Sequence, residues 1–306
     1  MRHLFGPVPS RRLGMSLGID LVPPKTCPLN CLYCEAGRTT RHTAERGEYI
    51  PVDEILAELD EYLKPYPHLD HITFSGAGEP TLHSGIGQIV EHLHTHWPQY
   101  RIALITNGIG LINPAMRQEA LGCSVVLPSL DAGTEAAFQR INRPCPGITL
   151  DALTDGLIAF RKEYSGLMLL EVFLLEGVND DSAELAAIAE RVRRIQPDQV
   201  QLNSLDRPGA EAGLIPVSHE RLASLTGLFA PIPAIPITRQ PSGGVSQAFS
   251  DLQEMIVSTV KRRPCTVQDL VLMTGHPVME IQKVLRELLS DGRIESQPGE
   301  RGEFYR

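Results

Sequence analysis

The chain has 306 residues, 42% of them hydrophobic, and a formal net charge of −9. That length holds one large domain of about 240 residues plus a small one, or two of middle size, and the hydrophobic share is that of a packed core. Wholesale disorder, a collagen-like fibre and a disulfide-stapled mini-protein are excluded. The acidic balance argues against bulk binding to nucleic acid, although a local basic patch survives it.

No stretch approaches about 20 uninterrupted apolar residues, so no membrane-spanning helix is expected. Arg11-Arg12 is followed by Leu13 to Asp20, too short and too polar for an export signal. A cytoplasmic protein is expected, and there six cysteines are not expected to pair as structural disulfides.

In chain order, Met15 to Pro23 reads as a short strand closed by Pro23-Pro24. A loop follows with three cysteines in eight residues, Cys27-Pro-Leu-Asn-Cys31-Leu-Tyr-Cys34. Clustered thiolates in a reducing compartment are soft-metal ligands. Zinc sites pair such a set with a second Cys or His pair, and none exists here. Three thiolates suit a cubane cluster with one iron left open; an incomplete zinc knuckle and three chance loop cysteines are the alternatives. Arg38 to Arg46 and His42, with Ser10 to Arg12, flank this loop as phosphate or carboxylate binders or as solvated loop.

Pro51 to Leu63 has apolar residues at helical spacing. His71 to Phe74 is a strand running into Ser75-Gly76-Ala77-Gly78-Glu79-Pro80-Thr81. Glycines there let the backbone approach a ligand closely, although Gly-x-Gly alone is more often a simple turn. Ile86 to His96 is helical, and His92, His94 and His96 read as its solvated face, with metal binding the alternative. Arg101 to Ile105, Ser124 to Leu130, Leu167 to Leu175 and Gln199 to Leu205 are further strands. Asn113 to Leu121, Thr149 to Tyr164 and Ser182 to Ile195 are the helices between them. Six strands alternating with helices predict a parallel α/β barrel or open sheet, with chemistry at the strands' C-terminal ends. Glu79, Thr106-Asn107, Ser129, Asp131, Asn179 and Asn203-Ser204 gather at those ends. Glu171 lies inside an apolar strand and needs a partner: a polar lumen, a core arginine, or a direct cofactor or substrate contact.

Ala230 to Pro236 is Pro-rich and Gln240 to Gly244 is rich in breakers. Asp251 to Val260, Thr266 to Met273 and Pro277 to Ser290 read as three helices. Arg293 to Ser296 and Glu303 to Arg306 follow as a hairpin. This is the winged-helix pattern. The expected domains are 1–238, a linker over 239–250, and a winged-helix module over 251–306. That module holds eight Lys or Arg and nine Asp or Glu, a poor electrostatic DNA reader. Docking, RNA binding and DNA regulation are its candidate roles, with Lys261-Arg262-Arg263 and Lys283/Arg286 its basic clusters.

The spacing C-x3-C-x2-C, with Tyr33 before the last cysteine, resembles the signature of the radical S-adenosylmethionine (SAM) superfamily. FSGAGEPTL, ITNG, PSLDAG, INRPCPG and LEVFLLEGVND resemble a group of bacterial radical SAM proteins related to the wybutosine-pathway 4-demethylwyosine synthases. The likeness covers roughly residues 1 to 240. It implies a partial (β/α)6 barrel, with Cys27, Cys31 and Cys34 holding a [4Fe–4S] cluster whose fourth iron is chelated by SAM. It implies that Gly76, Ala77, Gly78 and Glu79 contact the SAM amino group and that Ser129 and Asp131 lie by the ribose. Asn107 and Asn179 are its secondary contacts, and flavodoxin or ferredoxin is its reductant. Position 77 departs from the GGEP-type motif in being alanine. The wybutosine enzymes also carry a second cysteine set before the first, and this chain has no cysteine before Cys27. They hold pyruvate with a lysine; Lys25 beside the loop has no assigned role. Cys145, between two prolines, is an inert loop cysteine or a substrate-handling or auxiliary ligand, and Cys123 and Cys265 stand alone. The resulting expectation is a SAM-cleaving enzyme acting on RNA, with a peptide or protein substrate, or a redox-sensing regulator, as alternatives.

Overall fold

A computed structural model describes residues 2–10, 12–237 and 252–306. The expected linker over 239–250, Gln240 to Gly244, Arg11 and the first residue of the C-terminal module therefore lie outside the described residues. Strand β1 (Leu4–Ser10) turns back antiparallel into β2 (Gly14–Ile19). Two short pieces, β3 (Thr26–Cys27) and β4 (Arg41–His42), pair with each other at the two ends of the cysteine loop. Then α1 (Val52–Leu63), β5 (His71–Phe74), α2 (Ile86–His96), β6 (Arg101–Thr106), α3 (Pro114–Ala120) and β7 (Val125–Pro128) alternate. Two helices follow, α4 (Glu135–Ile141) and α5 (Leu150–Glu163), then β8 (Leu167–Phe173), α6 (Ser182–Ile195), β9 (Gln199–Asn203), α7 (His219–Leu225) and β10 (Ala234–Pro236).

Eight strands form one sheet in the order β1-β2-β5-β6-β7-β8-β9-β10. The six from β2 to β9 are parallel and stand in chain order, each crossover carried by at least one helix. This is the partial (β/α)6 barrel that the resemblance implies, one of the two forms, barrel or open sheet, left open by the alternation. Its strands are apolar on both faces because both are covered. Ile72, Phe74, Ile102, Leu104, Val126, Met168, Leu170, Val172, Val200 and Leu202 belong to the main core with the helices. Their neighbours Ala103, Val125, Leu127 and Leu169 form a second cluster with Leu13. By the alternation of the strands this cluster lies on the opposite, lumen-facing side of the sheet.

Two strands escape the periodicity. In β1, Pro7 and Pro9 break the pattern, and in β10 Pro236 sits in what reads as a breaker stretch. Both are edge strands, where a missing N–H leaves no gap in a ladder. The short α4 also escapes; Thr134 starts it by accepting from the Ala137 N–H, a cap too local to stand out.

The C-terminal segment holds α8 (Leu252–Arg262), α9 (Val267–Thr274), α10 (Val278–Ser290) and a hairpin of β11 (Ser296–Gly299) and β12 (Gly302–Tyr305). Ile256, Val260, Cys265, Leu270, Ile281, Leu285, Leu288 and Ile294 form a core separate from the barrel's. Thr266 and Asp269 close a capping box on α9. The segment seats on the barrel through charge. Arg262 pairs with Asp20 at 2.8 Å. Arg207 meets Glu35 and Asp206 from the barrel and Asp269 from α9 at 3.3, 3.6 and 3.8 Å. Arg301 adds bonds to Asp206 and Asp269. The side chains of Arg207 and Asp269 are only 8% and 7% exposed, so this network holds its charges largely out of water, where each depends on the others for compensation.

Candidate functional site

The cysteine loop crosses the C-terminal end of the barrel, held by backbone bonds from the INRPC segment after α4. Asn30 donates its N–H to the carbonyls of Asn142 and Arg143, Leu32 to Ile141, and Cys145 returns one to Pro28 at 2.8 Å. This explains the proline-flanked loop: it is a rigid strut. Cys145 lies against the cluster loop through its backbone, with its thiol buried. Cys123 and Cys265 are likewise buried, each in its own core. Burial pushes the Cys123 thiol up to about 12.

Each of the three loop sulfurs is met by N–H donors. Cys27 Sγ accepts from the Leu29 N–H and from Asn107 Nδ2, both at 3.4 Å. Cys31 Sγ accepts from Asn142 Nδ2 at 3.4 Å. Cys34 Sγ is met by the backbone of Ala36 and Gly37. Burial raises all three thiols above the usual range, with the Glu79 charge adding at Cys27 and Asp131 at Cys31, so metal binding must displace protons. Among the described residues no three His, Cys, Asp or Glu side chains converge on one ion position. The N–H donors aimed at sulfur suit thiolate, which accepts hydrogen bonds. The residues present therefore fit a [4Fe–4S] cluster.

The loop after β5 lies against the approach to the cysteines. Lys25 donates its N–H to the Ala77 carbonyl at 2.6 Å, and Glu79 to Thr26 at 3.0 Å. Gly78 is required by this contact: a Cβ there would stand 2.8 Å from the Thr26 carbonyl. Gly76, at φ +137, is exposed beside Asp20.

Glu79 is 4% exposed. Its Oε1 accepts from the Thr81 N–H, the Thr81 hydroxyl and the Thr106 hydroxyl; its Oε2 accepts from the Asn107 N–H at 2.9 Å. Burial raises its carboxyl, against the lowering effect of these donors. Glu79 thus ties the glycine loop to the end of β6, and so aims Asn107 at Cys27.

Asp131 is 3% exposed and also bonded within the protein. Its carboxylate accepts from the Tyr33 hydroxyl, from Asn142 Nδ2 at 2.8 Å and from the Phe173 N–H at 3.0 Å. Tyr33 stacks on Phe173 with ring centroids 3.9 Å apart. One carboxylate therefore clamps the cluster loop, its strut and β8 together. Asn179 is fully buried, and both its amide hydrogens go to the Asp131 and Phe173 carbonyls. Ser129 is half-buried at the end of β7, bridged to Glu171.

Asp131→Asn tests the clamp. An amide has one acceptor oxygen in place of two, so it cannot serve Tyr33 and Asn142 on one side and the Phe173 N–H on the other; a buried donor is orphaned, at a cost of about 1–3 kcal/mol. Burial also pushes the Asp131 carboxyl up to about 6. The folded chain then binds this proton more tightly than the unfolded one. The associated stability is present below the unfolded value and is lost as pH rises through about 6. Urea unfolding of wild type and variant is expected to show their gap narrowing by about 1 kcal/mol from pH 5 to pH 7.

Glu171 faces the lumen and pairs with Arg12 from the β1–β2 turn, and accepts from Asn203 Nδ2 at 3.3 Å. Of the readings open to it, the structure takes the arginine partner. The loop arginines have partners too. Arg38 and Arg143 share Glu211, Arg46 pairs with Glu119, and Arg41 stacks over Tyr49. His92 bonds Asp60, His94 the Gly122 carbonyl and His96 the His92 carbonyl, so each histidine has its own local partner.

A chamber of about 640 Å³ opens beside the cluster loop. It is lined by Cys34, Ser75 and Gly76, by Ser16, Thr73 and Ile105 of the sheet, and by Arg262, Arg263, Leu272 and Met273 of the C-terminal segment. No helix among the described residues is long and apolar enough to cross a membrane.

The model of the radical SAM superfamily matches residues 21–189. A protein of Brachyspira hyodysenteriae named GTPase Obg is 34% identical over 302 residues, 97% of this chain, which spans 44% of that relative's length. A UPF0026 protein of Methanocaldococcus jannaschii is 34% identical over 231 residues, 75% of this chain and 71% of its own. The crystal structure of a radical SAM methyltransferase from Sphaerobacter thermophilus shares the fold, with a TM-score of 0.55 at 20% identity over 72% of this chain and 66% of its own. Members of this superfamily use a [4Fe–4S] cluster and SAM, the pair that the three-cysteine loop fits. The chain belongs to the radical SAM superfamily and, within it, to the UPF0026 group.

Proposed function

We propose that this chain cleaves SAM reductively and uses the radical so formed on a substrate held in the chamber between barrel and C-terminal segment. The observation that carries the reading is the loop of three thiols, each met by N–H donors, with Cys34 in the chamber wall. When bound, the cluster supplies the electron that splits SAM into methionine and a 5′-deoxyadenosyl radical, which takes a hydrogen atom from the substrate.

The chain's own residues hold and orient. Cys27, Cys31 and Cys34 ligate the cluster. Asn107 and Asn142 donate to the sulfurs of Cys27 and Cys31. The main chain of Gly76, Ala77 and Gly78 lines the place for the SAM amino group, and Ser129 the place for its sugar. Glu79, Asp131 and Asn179 act behind these as braces, since their polar atoms are already bonded inside the protein. A flavodoxin or ferredoxin supplies the electron. Residues 1–238 form the radical SAM domain, and 251–306 a winged-helix module that closes the chamber.

That closure favours a small substrate over an RNA, a peptide or a DNA output. A chamber of about 640 Å³ lies in the range of small-molecule sites, about 300–1,000 Å³. Of the basic cluster Lys261-Arg262-Arg263, Arg262 is paired to Asp20 and Arg263 faces the chamber, which leaves Lys261 alone on the outside. The resemblance to 4-demethylwyosine synthases rests on sequence motifs alone.

The experiment is anaerobic. The cluster is reconstituted, iron and sulfide are counted, SAM and dithionite are added, and 5′-deoxyadenosine is measured. Four irons per chain with deoxyadenosine formed is the expected result. A fully loaded protein that yields none, alone and with pooled cell metabolites, overturns the reading.

A further inference from the structure

Four arginines line the chamber. Three are neutralised by the protein: Arg12 by Glu171, Arg262 by Asp20, and Arg207 by Glu35, Asp206 and Asp269. The fourth is Arg263, half-buried just past the end of α8. Its guanidinium partner among the described residues is the Met273 sulfur at 3.6 Å. A thioether is a weak acceptor, and a guanidinium carries five N–H donors and a fixed charge. No carboxylate among the described residues meets it.

A second observation stands beside it. Thr259 lies one helical turn earlier and also lines the chamber, and residues at i and i+4 share a helix face. Its hydroxyl has no partner among the described residues. A guanidinium and a hydroxyl from the end of α8 thus line the same chamber as Cys34 and Gly76.

We propose that the substrate is a small molecule with an anionic group, a carboxylate or a phosphate, which Arg263 and Thr259 engage. The C-terminal segment is then the specificity wall of the chamber. This rests on the reading of the chamber as the substrate site. One unpaired arginine matches one anionic group; an RNA backbone, by contrast, is held by many cations at once. The charge-assisted, forked geometry of guanidinium suits either oxyanion.

The test uses the full-length, cluster-loaded protein under anaerobic conditions. Binding of inorganic phosphate, of succinate and of bulk tRNA is measured by calorimetry for wild type, Arg263→Gln, Arg263→Lys and Lys261→Gln. Wild type is expected to bind one of the two small anions saturably. Arg263→Gln weakens that binding by about tenfold or more, Arg263→Lys by less, and Lys261→Gln leaves it unchanged. Phosphate preferred over succinate assigns a phosphate ester, and the reverse a carboxylic acid. Equal binding by wild type and Arg263→Gln, or no saturable binding by wild type, overturns the proposal. So does tRNA binding that falls in Arg263→Gln while neither small anion competes with it. Deoxyadenosine is assayed on the same samples. If it forms while anion binding ignores Arg263, only this proposal falls. If it never forms although the anion binds through Arg263, the radical reading falls, and with it the identification of the anion site as a substrate site.

Discussion

Cys31→Ala is expected to leave a folded chain with little iron and a fall of at least ~10³-fold in deoxyadenosine formation, about 4 kcal/mol in the barrier. In the proposed ligand set the loop offers three thiols for three irons, and none of the other cysteines can move in. Cys123 and Cys265 are locked in two different cores, and Cys145 is bound to the loop by its backbone with its thiol buried. The Asn142 amide loses its sulfur acceptor but keeps its bond to Asp131, so the fold survives. Iron and sulfide counts beside the deoxyadenosine assay check this. Cys145→Ala is the control and is expected to keep its iron. Full iron content in Cys31→Ala would contradict the assignment.

Glu79→Ala is expected to lower the stability of the metal-free chain by about 3–5 kcal/mol, because it strands several buried donors together. They are the Thr81 N–H and hydroxyl, the Thr106 hydroxyl and the Asn107 N–H. Glu79→Gln keeps one acceptor oxygen and the shape of the side chain, and is expected to lose about 1–2 kcal/mol. Urea unfolding measures both. SAM affinity of the loaded protein separates two roles. A brace predicts that Glu79→Gln changes SAM binding less than it changes stability. A direct contact to the SAM ammonium predicts the reverse, since the amide lacks the charge.

The clamp residues show why such roles are hard to assign from sequence. Asp131 and Asn179 stand at strand ends, where ligand contacts are expected, yet their polar atoms turn inward. Asp131 joins Tyr33 and Asn142 to β8, across 98 residues in the first case. A carboxylate at a strand end is read the same way from sequence whether it meets a ligand or a neighbouring loop. Only the donors around it decide, and they come from elsewhere in the chain. Glu171 is the converse case: its need for a partner follows from its apolar strand, but Arg12 lies 159 residues away.

The parts of this protein that its sequence alone determines are those governed by short spacing. The three cysteines fall within eight residues, the glycine loop follows its strand directly, and β5, α2 and α6 stand where periodicity places them. Hydrophobic period and loop chemistry act over a few residues, so they are legible there. The tertiary structure decided what depends on distant partners. Edge strands β1 and β10 hold prolines because, among the described residues, nothing pairs beyond them, a fact about the sheet and not about the segments. The seating of the C-terminal segment turns on Asp20 and Arg262, 242 residues apart, and on the buried Arg207 network. A charged side chain carries no mark of its partner in sequence. Three of the chamber's arginines found carboxylates, and the fourth was left facing the cavity.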